Sequence, residues 1–208
     1  MEFVRYRFYR WRYEARFEEK LVLAFVFAVI TGICAQIRLY LPWTPVPVTM
    51  QTFAVFLSAV ILGRSWGGIS QAFYVALGLA GIPWFAGFKG GLAVLYGPTV
   101  GYLLGFIISA LFVGYLVDRY VGARFFLTLL PILIFANFII IYGLGLLWLL
   151  LIFPGLGFYE LLMIGAIPFV PGDLAKILAV SAIGKAITPK VAFNGEKDFS
   201  KECELLHD

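Results

Sequence analysis

The chain has 208 residues, of which 62% are hydrophobic and 13% charged, and its net charge is +4. Soluble domains run near ~45–50% apolar, so this composition excludes a water-soluble globular fold and indicates a polytopic membrane protein forming one compact bundle. The positive residues lie outside the apolar segments, as orientation signals do, which argues against nucleic-acid binding. Cys34 and Cys203 make no disulfide framework or Cys/His metal site, and His207, near the end of the chain, argues against buried histidine catalysis.

Residues 1–20 interleave Arg5, Arg7, Arg10, Arg12, Arg16 and Lys20 with Phe3, Tyr6, Tyr9, Trp11, Tyr13 and Phe17. On a helix, Phe3, Tyr6, Tyr9, Tyr13 and Phe17 share a broad arc, which suits a helix in the headgroup layer with its arginines toward anionic lipid. Arg10 interrupts that arc, so a plain basic cytoplasmic flank stands beside it as an equal reading. The apolar run 21–41 exceeds the ~7–15 residues of a signal-peptide core and reads as a retained span. Ile33 before Cys34 lacks the small side chain of a lipoprotein cleavage site. Within the run, Ala24 and Ala28 have the spacing that permits close helix approach, a pattern also expected by chance in alanine-rich spans. Arg38, at its outer end, snorkels to headgroups or offers a cation to an anion.

Further apolar segments follow at 49–63, 66–82, 100–117, 125–153 and 172–187. The expected fold is all-α: a six-transmembrane-helix bundle spanning 21–188, with a cytoplasmic tail at 189–208. Arg64, Arg119, Arg124, Lys185, Lys190, Lys197 and Lys201 then share the side of the basic amino terminus, against Arg38 and Lys89 opposite. The positive-inside bias puts both termini in the cytoplasm. The fifth segment is longer than a membrane requires and carries Pro131, so a tilt or kink is expected. Residues 159–167 precede Pro168 and Pro171 and read as a short element dipping in before the last helix starts near Pro171.

That last helix carries Pro171-Gly-Asp173-Leu-Ala-Lys176 in apolar surroundings. Each charge at membrane depth costs at least ~2.5–3.5 kcal/mol on insertion scales. Three residues apart, the two share a helix face, where they neutralise each other or jointly grip a polar molecule. Between the third and fourth segments lies Gly81-Ile-Pro83-Trp84-Phe85-Ala-Gly87-Phe88-Lys89-Gly90-Gly91, either a mobile outer loop with interfacial aromatics or a wall against which a ligand sits. Gly90 and Gly91 there offer amides for an anion. Thr49 and Gln51 fall at the same level after Pro45-Val-Pro47, while Gln36, Ser58, Gln71, Ser109 and Asn137 suit hydrogen bonds to neighbouring helices. Gly184-Lys185 lacks the flanking residues of a Walker sequence, and no catalytic constellation accompanies Asp173 or Glu160, so no enzymatic or ATPase activity is expected.

Several stretches resemble the substrate-binding subunit of biotin transporters of the energy-coupling-factor type, the BioY family. They are Pro45-Val-Pro-Val-Thr49-Met-Gln51-Thr-Phe, Leu77-Gly-Leu-Ala-Gly-Ile-Pro83-Trp-Phe85-Ala-Gly87 with Gly90-Gly91, Gly97-Pro-Thr-Val-Gly-Tyr102, Ile141-Tyr-Gly-Leu-Gly145, and Pro171-Gly-Asp-Leu-Ala-Lys176. They run in family order over about residues 42–180. Val100 replaces a common glycine and Lys89 a small or amide residue. The resemblance implies an outward pocket closed by the glycine-rich loop, with biotin as ligand and no cofactor. It assigns the ureido edge to Asp173 and Lys176, apolar contacts to Phe85, Tyr74 and Tyr102, and the ligand carboxylate to Gly90, Gly91 or Lys89, with Thr49 and Gln51 nearby. It further implies a plasma-membrane subunit that docks, through Ala24 and Ala28, on a transmembrane coupling protein carrying two ATPase subunits. A solitary biotin transporter and a structural or other small-molecule-binding bundle are the alternatives.

Overall fold

A computed structural model of the chain describes residues 2–192 and 195–197. Lys201, Cys203 and His207 lie outside the described residues. The chain is predominantly helical. Helix α1 (Glu2–Glu14) turns at Arg16 into α2 (Phe17–Gln36). That turn is set by Glu19, whose carboxylate accepts the Arg16 N–H at 3.0 Å while Glu18 and Glu19 occupy the positive first turn of α2.

Helix α2 ends at Gln36, short of the boundary at 41 expected from hydropathy. Ile37 is extended, and strand β1 (Arg38–Leu39) pairs antiparallel with β2 (Val48–Thr49), Arg38 opposite Thr49. The intervening segment holds Pro42, Pro45 and Pro47, which disfavour helix at the residues before them.

Helix α3 (Gln51–Leu79) is a hairpin, not a rod. Gly63 breaks it with φ 78°, a left-handed value that glycine adopts without steric cost. The two arms touch along their length: the Gln71 amide donates to Ser58 Oγ at 3.0 Å, and Gln51 Nε2 to the Tyr74 hydroxyl at 2.8 Å. In an unbroken helix residues 58 and 71 would stand about 20 Å apart.

Helix α4 (Val100–Arg119) leads through a 3-10 turn at Val121–Arg124 into α5 (Phe126–Phe135). A π-turn at Ala136–Ile141 joins α5 to α6 (Tyr142–Ile152). The irregularity in this long segment thus falls after Pro131, in the π-turn. Helix α7 (Phe158–Gly165) is short, and a 3-10 turn at Ile167–Phe169 separates it from α8 (Val170–Ile187), whose first turn contains Pro171 and Asp173.

By length and composition, four helical stretches among the described residues could cross a membrane: Gln51–Leu79, counted along both arms of its hairpin, Val100–Arg119, Phe126–Ile152 and Phe158–Ile187. Phe56, Leu129, Leu133 and Ile177 are fully buried where α3, α5 and α8 meet, and Leu149 is buried where α6 packs on α7. Val22, Phe25, Ile33, Ile108, Leu147 and Leu151 form an exposed apolar exterior, as hydrocarbon surroundings permit.

The loops after α2, before α4 and before α8 gather at one end of the bundle, here called the site end. At the other, the terminal end, α1 packs Tyr9 and Arg12 against the bundle, and Ala15 just after it is buried too. Arg12 bonds Asp118 at 2.6 Å and the Ile61 carbonyl at 3.1 Å, and its guanidinium lies 4.0 Å from the Tyr9 ring centre. The buried face of α1 is therefore a protein contact centred on an arginine, and differs from the aromatic arc expected to face lipid. Residues after α8 dock here too. Val121 N–H donates to the Lys197 carbonyl at 3.1 Å, and Glu196 pairs with the fully buried Arg124.

Candidate functional site

The site end encloses a cavity of about 560 Å³, within the range of small-molecule pockets. Its walls come from the β1–β2 connection, the start of α3, the glycine-rich loop, the first half of α4, the α6 start and the first turns of α8.

Asp173 and Lys176 form one polar patch of this wall. Both are nearly inaccessible and in contact as an ion pair. Asp173 also accepts hydrogen bonds from Thr52 Oγ1 at 3.0 Å, Asn137 Nδ2 at 3.0 Å and the Tyr142 hydroxyl at 2.6 Å. A carboxylate has about four lone-pair sites, and these donors with Lys176 fill them. Lys176 Nζ donates to the Thr49 carbonyl at 2.7 Å. An ammonium carries three hydrogens, so one is left to face the cavity.

The π-turn explains how two of these donors reach one carboxylate. Residues five apart on an α-helix point about 140° away from each other. The wider π-turn at Ala136–Ile141 rotates Asn137 and Tyr142 back onto a common face. At the junction of β2 and α3, Thr49 Oγ1 donates to Gln51 Oε1 at 2.8 Å, which fixes the amide so that its nitrogen meets Tyr74.

The glycine-rich loop forms the opposite wall. Phe85 is buried edge-on to the Tyr74 ring, 5.3 Å between centres, in a notch over Gly78. A Cβ on Gly78 would come within 2.2 Å of the Phe85 ring, so only glycine leaves this notch open. Trp84 Nε1 donates to the Tyr74 carbonyl at 2.9 Å, and Phe85 and Lys89 exchange backbone hydrogen bonds across a tight turn.

Of the residues singled out from sequence, Asp173, Lys176, Thr49, Gln51, Phe85, Lys89, Gly90 and Tyr102 line the cavity together. Two do not. Tyr74 is fully buried one layer behind Gln51 and Phe85, where it supports the wall. The Gly91 amide is unavailable to an anion because it donates to the Gly78 carbonyl at 2.8 Å. Ala24 and Ala28 also differ from expectation: both are fully buried inside the chain, so the close approach their spacing allows is used intramolecularly and neither side chain is exposed. Arg38 is not in the cavity wall. It stacks beside Tyr40 and Phe88 and donates to Gln36 Oε1 at 3.2 Å.

Sequence reasoning missed Thr52, Tyr142, Phe106 and Phe169 as wall residues. Thr52 adjoins Gln51 and was within reach of a spacing argument. Tyr142 depended on the π-turn, which leaves no mark in the hydropathy. Among the described residues no three His, Cys, Asp or Glu side chains gather as metal ligands.

A family model described as the BioY family matches residues 12–193. The chain is 50% identical over 150 residues to a probable biotin transporter BioY of Methanothermobacter thermautotrophicus, covering 70% of this chain and 96% of the relative. It is 38% identical over 169 residues to the biotin transporter BioY of Thermotoga maritima, covering 79% and 92%. Among solved structures it is similar to the crystal structure at 2.1 Å of the S-component for biotin from an ECF-type ABC transporter. The TM-score is 0.74, over 81% of this chain and 90% of that one, at 22% identity, a likeness of fold.

Proposed function

This chain belongs to the BioY family, and from that premise we propose that it is the biotin-binding subunit of a vitamin uptake transporter of the energy-coupling-factor type. The observation that carries the proposal is the Asp173–Lys176 pair set in the wall of a cavity whose other surfaces are largely aromatic and aliphatic. Biotin is amphipathic in the same sense: a ureido edge of two N–H donors and one carbonyl, a thioether ring, an aliphatic chain and a carboxylate.

Asp173 is fully engaged without ligand, so its role is wider than a single contact. It holds Lys176, Thr52, Tyr142 and Asn137 in place around one corner of the cavity. The free Lys176 hydrogen meets the ureido carbonyl. A hydroxyl rotates at little cost, so Thr52 or Tyr142 yields its lone pair on Asp173 to a ureido N–H. The thioether ring and chain lie against Phe85, Tyr102 and Phe106, and Lys89 with Gly90 at the exposed mouth takes the carboxylate. Binding trades protein hydrogen bonds for ligand ones, and the net gain comes from desolvated apolar surface and the fixed donor array.

In this reading the six segments span the plasma membrane, α3 supplies two of them as a hairpin, and both termini are cytoplasmic. The site end then faces outward, and biotin enters from outside. A separate coupling protein and two ATPase subunits power release, since this chain carries no Walker sequence. Their contact is made by surfaces other than the buried Ala24–Ala28 pair. Co-purification of such partners distinguishes this arrangement from a solitary transporter.

The test is thermal unfolding of the purified protein with and without biotin. A ligand at a hundred times its Kd stabilises the folded state by about 2.7 kcal/mol, so the midpoint should rise with biotin concentration. A midpoint that biotin leaves unmoved overturns the assignment.

A further inference from the structure

The glycine-rich loop is held to α3 by Trp84, Phe85 and Gly91; Trp84 also packs beside Gly32 of α2, and the Gln36 side chain bonds the loop's tip to α2. Gln36 sits at the last residue of α2, where the helix stops and β1 begins. Its Nε2 lies 3.0 Å from the Trp84 carbonyl, 3.1 Å from that of Phe85 and 3.2 Å from that of Gly32 in its own helix. Two amide hydrogens are thus shared among three acceptors. Its Oε1 accepts the Phe88 N–H at 3.2 Å and Arg38 Nη1 at 3.2 Å.

Phe88 makes this contact informative. It is the one non-glycine residue with positive φ among the described residues, at 55°, and its ring is largely exposed. A bulky side chain in the left-handed region is disfavoured unless its surroundings hold it there. Besides the Phe85–Lys89 backbone pair that closes the turn, the contacts on Phe88 are the Gln36 oxygen on its N–H and the Arg38 guanidinium, 5.7 Å from its ring centre. Phe85, Ala86, Phe88, Lys89 and Gly90 all line the cavity, so displacing this loop opens the wall.

We infer that Gln36 is the latch of this wall: its amide holds residues 84–89 against α2 and thereby sets how long a ligand stays. The inference rests on the biotin-binding reading for its ligand and on the geometry alone for its latch. Gln36 is a positioning residue, since it is not among the residues lining the cavity. A latch acts on escape more than on entry, because the bound state must break it to release the ligand while the empty state opens in its own time.

Two measurements on the full chain test it. In a chase of labelled biotin, Gln36→Leu removes both donors and the acceptor and should raise the dissociation rate at least about ten-fold, since three hydrogen bonds to the loop are lost, each at the low end of ordinary net strength. The association rate should change less than about two-fold. Gln36→Glu keeps acceptor oxygens for Phe88 and Arg38 and should give a smaller rise. It also decides the matter if Gln36→Leu does not fold. Hydrogen exchange on the ligand-free protein supplies the second measurement: amides of 84–89 should exchange faster in either variant, with those of α4 unchanged. An unaltered dissociation rate beside a wild type that retains biotin overturns the latch. A wild type that does not retain biotin overturns the ligand reading, and exchange at 84–89 equal to wild type then overturns the latch as well.

Discussion

Buried charge occurs at both ends of the bundle, and at one of them it borders a cavity. At the site end Asp173 and Lys176 adjoin a cavity of about 560 Å³. At the terminal end Arg124 is fully enclosed, pairing with Glu196, donating to the Val117 carbonyl at 2.9 Å and lying 4.6 Å from the Tyr9 ring centre. Arg12 and Asp118 form a second pair beside it, and Asp118 also accepts the Arg64 N–H at 2.8 Å, next to the Gly63 reversal. There the ions tie α1, the α3 hairpin, the α4–α5 turn and the segment after α8 into one clasp. A buried ion pair is thus no mark of a binding site in itself. What distinguishes the site end is empty space beside donors with capacity left over.

The comparison breaks down unless the two ends respond differently to loss of charge. The largest effect is expected at the clasp. Arg124→Ala breaks a buried ion pair by removing its fully enclosed guanidinium, which costs about 3–5 kcal/mol, and should lower the unfolding midpoint sharply. Biotin affinity of the protein that remains folded should stay within about two-fold of wild type, read by equilibrium binding. Asp173→Asn should do the reverse. It strips the charge that organises Lys176, Thr52, Tyr142 and Asn137, and a weakened site should lose about 2–3 kcal/mol of affinity, roughly 30- to 150-fold. Its ligand-free midpoint should move far less than that of Arg124→Ala. Equal destabilisation by the two substitutions would erase the distinction between site and clasp.

Sequence made the site end more legible than the clasp, for a physical reason. Asp173 and Lys176 stand out because a charge inside an apolar segment needs an explanation. Arg12 and Arg124 sit at segment ends, where basic residues are ordinary, so they read as orientation signals although both are buried, and Asp118 at the end of α4 draws no notice in the sequence. Hydropathy located the helices, but it overran α2, since residues 37–41 are as apolar as a helix while the prolines after them favour extended chain. It also had no access to the π-turn that aims Asn137 and Tyr142 together, because a single inserted residue leaves apolar composition unchanged. Ala24 and Ala28 show the same limit: small spacing shows that something comes close, and here it is α3 of the same chain.

The smallest effect sharpens the comparison through pH. At the clasp, burial and then the Asp118 carboxylate push the Tyr13 phenol up to about 12, against the pull of Arg12. Burial likewise raises Tyr9. A phenol raised in the folded protein favours the protonated form there, so its contribution to stability is fully present below the ordinary tyrosine value near 10. That contribution is lost as pH climbs from about 10 through 12. The unfolding midpoint should therefore fall over this interval, and Tyr13→Phe, which has no proton to lose, should fall less steeply than wild type. The lysines titrate in the same window, but they are common to both proteins, so the difference in slope isolates the phenol. Parallel slopes would mean that Tyr13 meets water freely when folded, and the clasp would then be looser around Arg12 than its 2.6 Å contact with Asp118 implies.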